Sequence, residues 1–147
     1  MRRTAQITWI SIFAVAMAQV EAAVVVYLRE MLKDPSIFFG PPYYLIEQTR
    51  EAATIIMLLA FAYLIGKSLR EKLGVFLFSF GIWDIFYYVF LFLMLRWPPS
   101  LFTLDILFLI PRPWIAPVIF PIVISIIMVC VGSYLMIKEK QHEQDVF

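Results

Sequence analysis

Four apolar runs, each a little over twenty residues long and each stopped by charge or proline, constrain this chain more than any other feature. Crossing a hydrocarbon core takes roughly 20 residues of helix at about 1.5 Å rise each. The runs extend over about Ile7–Leu28, Tyr43–Ile65, Leu73–Leu95 and Trp114–Ile137. Backbone amides surrounded by lipid must bond within their own segment, so the runs predict helices. The expected fold class is an all-α integral membrane protein. It is a single four-helix transmembrane bundle, residues 1–137, followed by a polar cytoplasmic tail, 138–147. Arg2, Arg3 and the later "AMA" at Ala16 to Ala18 imitate a cleavable signal peptide. The apolar run continues far enough to span, which predicts a retained helix instead.

Composition removes several alternatives. Hydrophobic residues make up 63% of the chain, too many for an ordinary soluble domain. A net charge of +1 supplies no basic field for nucleic acid. The single cysteine, Cys130, rules out an internal disulfide and an iron–sulfur cluster held by this chain. The single histidine, His142, rules out haem held by two internal histidines.

Orientation follows the bias of Lys and Arg toward the cytoplasmic side. Arg2, Arg3, Lys67, Arg70, Lys72, Lys138 and Lys140 fall on one side; Arg29, Lys33, Arg96 and Arg112 fall on the other. The larger group predicts a cell-membrane protein with both termini cytoplasmic. The breaker-rich loop "KDPSIFFGPP" and the segment "WPPSLFTLDILFLIPRPW" are then outside. Within the latter, the apolar stretch at about 100–110 is too short to span. With Ser100 placed as a cap, it predicts a short interfacial or re-entrant helix between the third and fourth spans. Pro117 and Pro121 are expected in the first turns of the fourth helix, bending it.

Acids inside the spans carry the functional signal. Asp84 lies midway along the third run, with Tyr87 and Tyr88 one turn on. Gly81, one turn earlier, admits a close neighbour. Glu47, Arg50, Glu51 and Thr54 share one face of the second helix, and Glu21 lies in the first beside Ala14 and Ala18. Measured from the outer ends, Glu21 and Glu51 lie roughly 12 Å deep and Asp84 roughly 17 Å deep. Each charge left facing lipid at the bilayer centre costs about 2.5–3.5 kcal/mol. Convergence on one buried site is the economical arrangement. Glu21, Glu47, Glu51 and Asp84 would form its acidic core, with Arg50, Thr54, Tyr87 and Tyr88 in support. Asp105, on the short outer segment, would cover it.

Four acids against Arg50 leave an excess of negative charge, which calls for protons, water or a cation. Oxygen ligands without histidine or cysteine suit a hard divalent ion, with Glu21, Glu51 and Asp84 as its ligand set. The leading expectation is therefore a cation- or proton-binding site with an ion-binding or transport role. Two others stand beside it. One is an accessory or assembly subunit of a larger membrane complex or homo-oligomer, in which the cluster is structural. The other is a membrane enzyme acting on a lipid or isoprenoid by acid–base chemistry.

Overall fold

The computed structural model describes residues 3–33 and 40–145, with side chains over 4–33 and 40–138. The central part of the first loop, 34–39, and the side chains of Arg2, Arg3, Lys140 and His142 lie outside the described residues. Four helices, α1 (Arg3–Met31), α2 (Tyr43–Ile65), α3 (Leu69–Leu95) and α4 (Ile119–Asp145), make up most of the fold. All four are long and apolar enough to cross a membrane. The second span begins and ends where hydropathy placed it. The fourth helix continues through the charged "KEK" stretch to Asp145.

The third helix starts four residues earlier than its apolar run. Ser68 is its N-cap and accepts from the Glu71 backbone N–H at 3.1 Å, while a Glu71 oxygen accepts from the Lys67 N–H at 2.9 Å. This is a variant of the capping box, with Glu71 reaching the N–H of the residue before the cap, in the sequence "KSLREK", which hydropathy alone reads as a charged turn.

The expected short helix at 100–110 is absent, and a β-hairpin stands in its place. Strand β1 (Leu104–Phe108) pairs antiparallel with β2 (Trp114–Pro117), with Leu104 opposite Pro117 and Phe108 opposite Trp114. A bulge at Leu107 interrupts the register. Ser100 and Thr103 close a tight turn before β1 rather than capping a helix, with the Thr103 N–H bonded to the Ser100 carbonyl at 3.1 Å. A short run that is apolar all round carries no periodicity to separate helix from strand. Pro111 and Pro113 decide the matter by placing a turn where the chain must reverse. The fourth helix therefore begins at Ile119, not Trp114. Pro117 ends β2, and Pro121 alone lies in the helix's first turn, where a missing N–H is harmless.

Small residues set the helix packing. Gly74 lies against Gly132, and Gly81 lies against Ser125, seven residues further along α3 and seven back along α4. A Cβ on Gly81 would come within 2.5 Å of the Ser125 carbonyl oxygen, so this crossing needs glycine. On α1, Ala14, Ala18 and Ala22 form a fully buried stripe packed against α3. The core runs through both ends of the bundle. Ile10, Ala62, Val75, Phe78 and Met136 fill the end near the α2–α3 turn. Ala22, Tyr88, Leu91 and Val118 fill the end beneath the hairpin.

Candidate functional site

Near the hairpin end, α1, α2 and α3 leave a cavity of about 320 Å³, with β1 as a further wall. Glu21, Glu47, Arg50, Glu51, Thr54, Asp84, Tyr87, Tyr88 and Asp105 all line it.

Arg50 is the centre of the first group. Its guanidinium donates through Nη2 to Glu47 Oε2 at 2.7 Å and through Nε to the same carboxylate, and through Nη1 to Glu21. The Thr54 hydroxyl donates to the other Glu21 oxygen at 2.7 Å. Glu21, Glu47 and Thr54 are buried, so this network joins α1 to α2 without water on most of its surface. A buried pair survives only if its remaining lone pairs are bonded, and here Glu21 and Glu47 meet that condition.

Glu51, one turn along α2 from Glu47, turns to the hairpin instead. Its Oε2 accepts from the Leu109 N–H at 2.8 Å. The Leu109 carbonyl in turn accepts from Gln48 Nε2 at 3.2 Å. The other Glu51 oxygen, Oε1, is buried and has no hydrogen-bond partner among the described residues.

Asp84 faces the fourth helix. The Ser125 hydroxyl donates to its Oδ2 at 2.7 Å, beside the close approach that Gly81 permits. Asp105 comes from β1, not from a helix, and still reaches the site. The Tyr88 hydroxyl donates to it at 2.9 Å, and Arg29 approaches to 3.9 Å. Burial pushes the Asp105 carboxyl above the ordinary aspartate value, with the Tyr88 hydrogen bond and the Arg29 charge pulling the other way. Tyr87 packs edge-on against Tyr88, ring centroids 5.2 Å apart.

Glu21, Glu51 and Asp84, the expected ligand set for a metal, thus turn to three different partners. Among the described residues no three carboxylate, imidazole or thiol groups gather as a metal site.

Four participants lie outside the expected set. Arg29 was counted only as an outer charge; its guanidinium also lies 4.1 Å from the Trp97 ring centroid. Ser125 has no histidine to make it a nucleophile, yet a hydroxyl within an apolar stretch at Asp84's depth is itself a pairing signal. Leu109 acts through its backbone, which no side-chain pattern announces. Trp83 reads as one more apolar residue of α3. It is 8% exposed, lines the cavity, and its indole N–H is buried without a partner among the described residues.

Fold and site together define a class: a four-helix bundle of membrane-spanning proportions around a charged internal cavity. No protein-family model, curated protein or solved structure matches the chain.

Proposed function

We propose that the chain is a multi-pass cell-membrane protein that binds a cation, or exchangeable protons, in the cavity beneath the hairpin. The charge balance carries this reading. Glu21, Glu47, Glu51, Asp84 and Asp105 line one cavity with only Arg29 and Arg50 opposing them, five acids against two bases. A low-dielectric site does not hold three uncompensated negative charges; protons, a bound cation or water entering from outside relieve them, and the first two are the reading proposed here. The Lys and Arg distribution puts both termini in the cytoplasm and the hairpin outside, so the site would be loaded from the outer face.

The test is a potentiometric titration of purified protein in nanodiscs, with and without added Mg²⁺, Ca²⁺ or an organic ammonium. Wild type is expected to exchange protons against at least one cation, and Glu51→Gln and Asp84→Asn to lose part of that exchange. Superimposable curves for all three proteins, indifferent to every cation, would sink the proposal.

A second reading, an accessory subunit of a larger membrane complex, draws support from the internal bonding. Glu21, Glu47, Asp84 and Asp105 each already have a partner within the chain. One face of α4 also leaves Ile124, Ile127 and Val131 exposed. Co-purification of a stoichiometric partner with the wild type would favour it.

A further inference from the structure

We infer that the groove between α3, α4 and the segment joining α3 to the hairpin holds one acyl chain of a phospholipid, whose phosphate is bound by Arg96. This rests on the membrane-spanning reading above and is independent of the ion site.

Beside the cavity, and parted from it by Tyr88, a second hollow of about 520 Å³ opens on the surface. Ile85, Val89 and Phe92 wall it on α3, Ile122 on α4, and Pro98 and Leu101 on the segment that follows α3. From Ile85 to Phe92 is about 10 Å of helix, most of the roughly 15 Å that one leaflet adds to the hydrocarbon core. The walls hold little for water, which needs two to four polar partners. The Tyr88 hydroxyl is committed to Asp105, and Ser100 supplies the one other polar side chain. Among acyl chains, a hollow of this kind fills with one of them.

The charge beside the groove makes the occupant specific. Arg96 follows Phe92 by one turn, and its guanidinium lies 5.6 Å from that ring's centroid. It is exposed and makes no ion pair among the described residues, whereas Arg29 approaches Asp105 and Arg50 pairs with Glu47. The Ser100 hydroxyl accepts from the Phe102 N–H at 3.2 Å, which leaves its own O–H to donate. A guanidinium and a hydroxyl next to an apolar groove match a phosphate carried on an acyl chain, because the planar fork of arginine binds phosphate oxygens in pairs.

The backbone at Arg96 points the same way. This residue caps α3 in the left-handed region, φ 55°, where glycine or asparagine is usual. The helix dipole favours a cation near this end, but any position of the last turn would serve it without the left-handed cost. The arginine stands where the chain leaves α3 to form the groove's third wall.

The experiment is native mass spectrometry of the full chain in non-ionic detergent. It is titrated with dioleoylphosphatidylglycerol, with dioleoylglycerol, which has the chains alone, and with inorganic phosphate. The phospholipid is expected to bind at least about tenfold tighter than either control, the difference one charge-assisted contact makes. Arg96→Gln should remove about that factor for the phospholipid and leave dioleoylglycerol unchanged. Arg112→Gln, at an exposed arginine in the hairpin turn and not on the groove, should change nothing. Val89→Trp, which fills the groove from an exposed position, should weaken both lipids at least about tenfold. Equal binding of phospholipid and either control, equal losses in Arg96→Gln and Arg112→Gln, or full affinity in folded Val89→Trp would overturn the inference. Alkaline carbonate extraction of the expressed protein separates this from the reading beneath it. A chain that stays with the membrane but shows none of these differences loses the groove assignment alone; one that washes off loses both.

Discussion

The two ends of the bundle meet the same demand, burial of polar groups among apolar ones, in opposite ways. At the α2–α3 turn, one acid, Glu71, is buried, and its oxygens accept from the Lys67 N–H at 2.9 Å and Gln6 Nε2 at 3.2 Å. Above it the helices close by shape, glycine against glycine. At the hairpin end five acids and two arginines surround a cavity, and two buried polar atoms have no partner among the described residues. An end that needed only to fold would resemble the first. Polar groups beyond what folding requires are the usual mark of a binding site, where local rules are broken and the cost is carried elsewhere.

The comparison breaks first at Arg50. Arg50→Met leaves Glu21 and Glu47 buried without a cation, and is expected to destabilise by about 3–5 kcal/mol in denaturant or thermal unfolding. A loss below about 1 kcal/mol would mean that water already solvates the hairpin end. At the other end, Gly132→Ala drives a Cβ to 2.6 Å from both the Gly74 carbonyl oxygen and the Phe78 nitrogen, backbone atoms that cannot step aside. About 1–3 kcal/mol should be lost there, and cavity binding should be untouched. Ser68→Ala removes the cap of α3 and should cost about 1 kcal/mol, read by the same unfolding assay.

Glu51→Gln should behave differently from all of these. Its amide oxygen can still accept from Leu109, and removing a partly buried charge offsets the cost of an NH₂ placed where no acceptor is found among the described residues. The unfolding midpoint is expected to stay or rise while ligand affinity falls, the trade expected where a residue serves binding rather than the fold. A midpoint that drops as far as in Arg50→Met would assign Glu51 to structure.

Acidity gives the smallest effect. The folded Asp105 carboxyl keeps its proton to higher pH than the unfolded one does. Between the two values the folded state binds more protons, so stability falls as pH rises through that interval and is complete below the ordinary aspartate value near about 4. Asp105→Asn should flatten that slope. An unaltered slope would leave Asp105 out of the balance.

Much of this architecture was legible in residue order, and for a physical reason. Run length against bilayer thickness locates α2 to the residue, because apolar continuity is all that a span requires. The rule that intramembrane acids seek company brought Glu21, Glu51 and Asp84 to one cavity on depth alone. It could not show which way each carboxyl turns, since Ser125, Leu109 and Arg29 lie far along the chain from the acids they meet. The hairpin escaped because "LDILF" is apolar without alternation, and helix and strand then look alike. Trp83 escaped because an indole in an apolar run looks like filler until its N–H is found without a partner among the described residues.

The clasp between hairpin and α2 is made at Leu109 entirely of main-chain atoms on the hairpin side, one N–H and one carbonyl. Such a fastening has no side-chain signature of its own. Position 109 can drift among apolar residues over evolutionary time without loosening it, whereas position 48 must keep a side-chain donor and position 51 a side-chain acceptor. Variation among future relatives should therefore be lopsided across this joint: permissive on the strand, strict on the helix.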